Sequence, residues 1–128
     1  AAELYQLSMD NGLVAAISKL AYLYHNGIGV DVDREKAFQL YCCAYERGNV
    51  EAICHVAAAY EEGQYVPKNE EKAAELYQFA MNKGVVDAIS SLALCYLDGK
   101  GVVQDREKAV ELFRLAADKG QVEAIVNL

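Results

Sequence analysis

Apolar positions recur along this chain in two alternating patterns. Ala16, Ile17, Leu20, Ala21 and Tyr24 form the first, and Ala52, Ile53, Val56, Ala57, Tyr60 and Ala88, Ile89, Leu92, Ala93, Tyr96 repeat it. The i, i+1, i+4, i+5, i+8 spacing lays one apolar stripe along a helix and predicts a helix with one buried face. The second pattern begins at Ala37, Ala73 and Ala109. It continues through Leu40, Tyr41 and Ala44, through Leu76, Tyr77 and Ala80, and through Leu112, Phe113 and Ala116. This predicts a second helix, and the small alanines on both stripes let the pair approach closely.

The residues between the stripes mark where the helices start and stop. Gly27, Gly63 and Gly99 are predicted to close the first helix, because a left-handed residue just past a helix end costs glycine no clash with a β-carbon. A loop follows, with one apolar anchor at Val30, Val66 or Val102. The second helix opens at DREKA (33–37 and 105–109) or NEEKA (69–73), each 36 residues after the last. Asp33, Asn69 and Asp105 are good N-caps, and Glu35, Glu71 and Glu107 place a carboxylate at the positive end of the helix dipole. Gly48 and Gly84 are predicted to end the second helices, at positive φ, and Gly120 closes the third copy of the pattern.

The chain therefore divides into three complete units, 13–48, 49–84 and 85–120, with a partial unit at 1–12 and another at 121–128. Two helices of this length cannot bury both faces alone, so each unit must lean on its neighbours. The predicted fold is all-α, an α/α solenoid whose function is a surface. The terminal stretches AAELYQLSMDNG and QVEAIVNL are predicted to be lone helices. The apolar face of the first, with Leu4, Tyr5 and Leu7, would then pack against flanking sequence or end to end against another copy.

These positions resemble the Sel-1-like repeat, a relative of the tetratricopeptide repeat with a longer inter-helix loop. The pattern A-x7-Y-x2-G-x-G-V…D-x2-K-A…A-x3-G is met by Ala16, Tyr24, Gly27, Gly29, Val30, Asp33, Lys36, Ala37, Ala44 and Gly48. The third unit meets it with Ala88, Tyr96, Gly99, Gly101, Val102, Asp105, Lys108, Ala109, Ala116 and Gly120. The middle unit departs at Tyr65, where a second loop glycine is expected, and at Asn69. Ala21, Ala57 and Ala93 stand where the family usually has glycine, which implies slightly wider helix packing. The resemblance implies a right-handed solenoid acting as a scaffold or adaptor that binds another protein or peptide segment in the trough lined by its first helices.

On that reading the trough is lined by Ser18, Lys19, Tyr22 and His25 from the first unit. The second contributes Glu51, Cys54, His55, Ala58 and Glu61, and the third Asp87, Ser90, Ser91, Leu94 and Leu97. Asn127 continues the series. The surface is basic and aromatic near Lys19, Tyr22 and His25 and acidic near Glu51, Glu61 and Asp87, which suits an extended or helical segment carrying basic residues. The alternative is a set of solvated helix faces.

Composition narrows the partners. With 54% hydrophobic and 24% charged residues the chain reads as a soluble globular protein. A net charge of −7 and a pI near 4.8, without a basic cluster, argue against nucleic acid. No apolar run has the length of a membrane span and no signal-peptide pattern opens the chain.

Cys42, Cys43, Cys54 and Cys95 do not recur from unit to unit and have no CxxC spacing. Cys54 and His55 point about 100° apart on a helix, a poor chelating pair, so no metal is expected. Cys43 aligns with Phe79 and Leu115 and reads as a small core residue. A Cys43–Cys54 bridge across the Gly48 turn is conceivable in an oxidising compartment; the pattern favours a reducing one such as the cytoplasm. Gly27-Ile28-Gly29 and Gly99-Lys100-Gly101 complete no phosphate-loop motif, and no cofactor is expected. Cysteine-rich members of the family have been linked with penicillin binding or hydrolysis. A hydrolase is accordingly an alternative, although the chain has no SxxK, KTG or GxSxG. A structural spacer is another.

Overall fold

The computed structural model describes the backbone of residues 2–127 and the side chains of residues 12–120. Its helices are α1 (Ala2–Asn26), α2 (Arg34–Glu46), α3 (Val50–Glu62), α4 (Glu70–Asn82), α5 (Val86–Asp98) and α6 (Arg106–Asn127). The result is an all-α solenoid of helix-loop-helix repeats. The contacts form two compact units, Ala1–Val56 and Ala57–Leu128, which divide within α3. In the first, α1 packs against α2; in the second, α5 packs against α4 and α6.

The motif that opens each second helix works as expected. The side-chain oxygens of Asp33, Asn69 and Asp105 accept from the amides of Lys36, Lys72 and Lys108, each at 3.0 Å. Such a cap contributes about 1 kcal/mol. The backbone amides of these same cap residues donate back to the carbonyls of Tyr24, Tyr60 and Tyr96 at 3.0, 2.9 and 2.9 Å. The lysine of each motif then lies over the ring of that tyrosine, at 5.1, 5.7 and 5.3 Å from its centroid. One tyrosine thus anchors the loop by its carbonyl and the second helix by its ring, a cation–π contact of about 0.5–1 kcal/mol at an exposed site.

The glycine stops also stand. Gly27, Gly63 and Gly99 have φ of 66°, 72° and 69°, and Gly48 and Gly84 of 95° and 92°. The residue after each donates to the carbonyl five positions back, as Ile28 does to Leu23 at 3.0 Å and Asn49 to Ala44 at 2.9 Å. This is the Schellman closure, and it satisfies carbonyls the helix leaves unpaired. Tyr65 takes the loop-glycine conformation as well, with φ 68° against 76° at Gly29 and 75° at Gly101. The loop keeps its shape and the tyrosine bears the left-handed strain.

Four expectations need correction. Gly12 and Gly120 lie inside α1 and α6. At Gly48 and Gly84 a 13-residue helix follows, and burial of its stripe offsets the turn. At Gly12 and Gly120 a single mid-helix glycine costs only about 1 kcal/mol relative to alanine, and the helix runs on. In consequence Leu20 is 41% exposed while its counterparts Val56 and Leu92 are 3% and 1% exposed; Ala16 is exposed too. For the same reason Phe113 is 37% exposed where Tyr41 and Tyr77 are each 4%. A helix that continues along its own axis covers nothing of its own face. The fourth correction is Cys43, which is half-buried. Its counterparts Phe79 and Leu115 are exposed, so the position faces outward, and the buried cysteine is Cys95. The terminal side chains Leu4, Tyr5, Leu7 and Asn127 lie outside the described residues.

Candidate partner-binding site

The first compact unit, Ala1–Val56, brings five of the trough residues together. Ser18, Lys19 and Tyr22 of α1 and Glu51 and His55 of α3 line an open cleft of about 370 Å³, completed by Ala15, Tyr41 and Asn49. Helical spacing explains the α1 wall: residues 15, 18, 19 and 22 fall on one face, one turn apart. On α3, Glu51 and His55 are similarly spaced. Asn49 belongs to the turn and caps α3, accepting from the Ala52 amide at 2.8 Å.

Tyr41 forms the floor. Its ring stacks on that of His55, 3.9 Å between centroids and 5° from parallel. His25 meets His55 edge-on at 6.1 Å. His55 remains exposed overall, yet one ring face is covered. That desolvation, followed by the proximity of His25, lowers its pKa below the ordinary 6.5. Burial, and secondarily Tyr22, raises the pKa of Tyr41.

The second unit arranges its trough residues differently. Glu61 accepts a hydrogen bond from the Tyr77 hydroxyl at 3.1 Å, and Lys100 lies 4.0 Å away. The Ser91 hydroxyl donates to the Asp87 carbonyl at 3.4 Å. Burial, with the adjacent Glu61 carboxylate, raises the Tyr77 pKa strongly. The same pair of causes, in the same order, pushes the buried Cys95 thiol up to about 11, which leaves it a poor nucleophile. Asp87, Leu94 and Leu97 are exposed, while Cys54, Ala58 and Ser90 are half-buried. Glu61 therefore serves the structure, and the exposed acids among the expected trough residues are Glu51 and Asp87.

The repeat geometry now has known counterparts. The Sel1 repeat matches residues 14–49, 50–85 and 86–121. The chain belongs to the Sel1 repeat family. Its fold is similar to a Sel1 repeat protein from Oxalobacter formigenes, at TM-score 0.69 and 30% identity over 82% of this chain and 43% of that one. It is similar to c5321, a protective antigen of uropathogenic Escherichia coli with an SLR fold, at TM-score 0.76 and 26% identity over 92% of this chain and 25% of that one. The cysteine-rich protein B of Helicobacter pylori matches at TM-score 0.65 and 25% identity, over 94% of this chain and 95% of that one. The chain thus spans less than half the length of the first two. No curated protein matches it. Sel1 repeats mediate protein–protein interactions, generally as scaffolds, and the fold is typically non-enzymatic.

Sequence reasoning missed the tyrosines. The apolar stripe places Tyr41 and Tyr77 in the core, which is correct for their rings. The signal for a second role was available: the third copy has Phe113, so the hydroxyl is dispensable to the stripe.

Proposed function

We propose that this Sel1 array binds an extended or helical segment of a partner protein along the wall formed by its first helices. One observation carries this reading: Ser18, Lys19, Tyr22, Glu51 and His55, at repeat positions that vary in chemistry, converge on a single cleft. Such positions are free to vary because the stripes beneath them hold the fold. Tyr22, Leu94 and Leu97 are the exposed apolar side chains of the set, and aromatic or aliphatic anchors of this kind carry most of the energy at interfaces. Basic residues of the segment would meet Glu51 and Asp87. A hydrolase would need a nucleophile paired with a base; His25 instead contacts His55, and His55 stacks on Tyr41. With Cys42, Cys43, Cys54 and Cys95 all outside disulfides, a reducing compartment is the proposed setting.

The test places a photo-crosslinking amino acid at Tyr22 in the intact protein, identifies the crosslinked segment, and measures its affinity for the wild type and for the Tyr22→Ala, Leu94→Ala double variant. Loss of about tenfold or more with an unchanged fold supports the reading. Equal affinity of the double variant defeats it.

A further inference from the structure

The second compact unit holds an open cleft of its own, about 280 Å³, between α4, α5 and the loop that follows α5. Its floor is apolar, made by Ala74, Leu92, Val102 and the ring of Tyr96, all buried or half-buried. Above the floor stand Glu71, Glu75 and Gln78, which fall on one face of α4 at helical spacing. Both carboxylates are exposed. Two lining positions are small where the preceding repeat is large: the residues 36 places before Ala74 and Gly101 are Phe38 and Tyr65. Gly101 brings the loop so near to α4 that a Cβ there would overlap the Glu70 carbonyl, and it leaves the space beside the helix unfilled.

The charges that line this cleft do not cancel. Glu71 and Glu75 are like charges one turn apart, an arrangement unfavourable to a helix in the absence of a cation. Among the described residues the one ion pair is Lys100 with Glu61, and no lysine or arginine lines the cleft. Lys108 lies over the Tyr96 ring, 5.3 Å from its centroid; even with that ammonium counted, carboxylates remain in excess. We propose that this cleft docks an arginine side chain of a partner protein, its aliphatic stem laid on the Ala74, Leu92 and Val102 floor and its guanidinium between the Glu71 and Glu75 carboxylates. Long basic side chains cover apolar surface with their stems while the charged head stays at the water boundary, which matches an apolar floor under a charged, open rim. Arginine suits it better than lysine, because its planar fork of donors serves two carboxylates and the Gln78 carbonyl together and is less strongly hydrated. The surface is separate from the trough: by helical period, Leu92 and Tyr96 lie on the side of α5 opposite Leu94 and Leu97. The inference therefore does not rest on the partner-segment reading.

The experiment titrates three capped pentapeptides of alanine and glycine, differing only in a central arginine, citrulline or glutamate, into the whole chain at low salt and follows amide chemical shifts. Citrulline keeps the stem of arginine and removes its charge. The arginine peptide is expected to shift amides of residues 71–78, 92–96 and 101–102, and the glutamate peptide to leave them unmoved. Arginine should bind about fivefold more tightly than citrulline and lose roughly two- to fivefold with Glu75→Gln, as partly exposed ion pairs give. Glu75 is the residue changed because Glu71 also serves the first turn of α4. Ala74→Phe, which installs the residue of the preceding repeat, should abolish the shifts; if that variant does not fold, Glu75→Lys carries the same expectation. Equal binding of the arginine and citrulline peptides, or of the arginine peptide to wild type and Glu75→Gln, overturns the proposal. So do arginine-dependent shifts confined to trough residues such as Tyr22, His55 and Leu94, and the absence of shifts from every peptide. Cleft shifts that appear on concentrating the protein without peptide would make a second copy the occupant and overturn it as well.

Discussion

Tyr41 in the first unit and Tyr77 in the second occupy the same place in the repeat, and both are buried to 4% exposure. The first-helix side chains that meet them differ. The position of His25 becomes Glu61 in the next repeat, and that of His55 becomes Ser91. Around Tyr41 the result is a stack of aromatic rings opening on a cleft; around Tyr77 it is a hydroxyl that donates to Glu61, with Lys100 beside the same carboxylate. The backbone and the stripe residues are constant while the first-helix positions above them change the chemistry wholesale. A repeat built this way can alter what it recognises without altering how it folds, since the exchanged side chains rest on the core and are not part of it.

The comparison breaks first if the two tyrosines are not equivalent as core residues. Tyr41→Ala and Tyr77→Ala are each expected to lower stability by about 3–5 kcal/mol, the cost of deleting a buried aromatic ring. Urea unfolding measures both; a small loss at either would show that its ring is not part of the packed stripe. Next in size are the loop glycines. A Cβ at Gly101 would overlap the backbone of Glu70, whereas one at Gly29 meets nothing within 4 Å. Gly29→Ala is expected to cost about 1 kcal/mol through its φ alone, and Gly101→Ala at least twice as much. At Tyr65, where the same φ is held by a side chain, Tyr65→Gly should raise stability by up to about 1 kcal/mol. Equal losses at Gly29 and Gly101 would show that the third loop can lift from α4.

What the amino-acid pattern made legible was local: helix caps, glycine stops and stripes each depend on a few residues within one or two turns. The exposure of Leu20 and Phe113 was not legible, because their stripes match those of Val56 and Tyr77; only the continuation of α1 and α6 through Gly12 and Gly120 distinguishes them. The lysine–tyrosine stacking was half visible. Lys36 and Tyr24 both belong to the repeat pattern, but twelve residues and a loop separate them, and no spacing rule joins them. At the candidate site the wall residues of α1 and α3 followed from helical period. Tyr41 did not, since hydropathy treats tyrosine as an apolar position and is blind to what its ring face and hydroxyl touch.

The hydroxyls themselves separate the two environments. Tyr77→Phe removes the donor to the Glu61 carboxylate and is expected to cost about 1.5–2 kcal/mol, within the range for hydrogen bonds to charged groups. Tyr41→Phe retains the ring that stacks on His55 and should cost well under half of that. Thermal melts of the two variants give the difference directly. If Tyr41→Phe proves as costly as Tyr77→Phe, the first-unit hydroxyl has an equally strong partner and the contrast between the units disappears.

The smallest effect is a pH dependence confined to the first unit. The pKa of His55 is lowered in the fold, chiefly by burial of its ring face and then by His25. Between that lowered value and the ordinary 6.5, the unfolded chain binds more protons than the folded one. His55 therefore contributes stability that is fully present above pH 6.5 and is lost as pH falls through its folded pKa. Its second-unit counterpart Ser91 does not titrate in this range. Melting the wild type and His55→Gln from pH 7.5 down to pH 5 is the measurement, with carboxylate titrations common to both chains cancelling in the difference. The wild type is expected to lose more stability than the variant, and the loss should fall below pH 6.5. Parallel curves would mean that stacking on Tyr41 leaves the imidazole as free to charge as in the unfolded chain, and the two tyrosine environments would then differ in geometry but not in electrostatics.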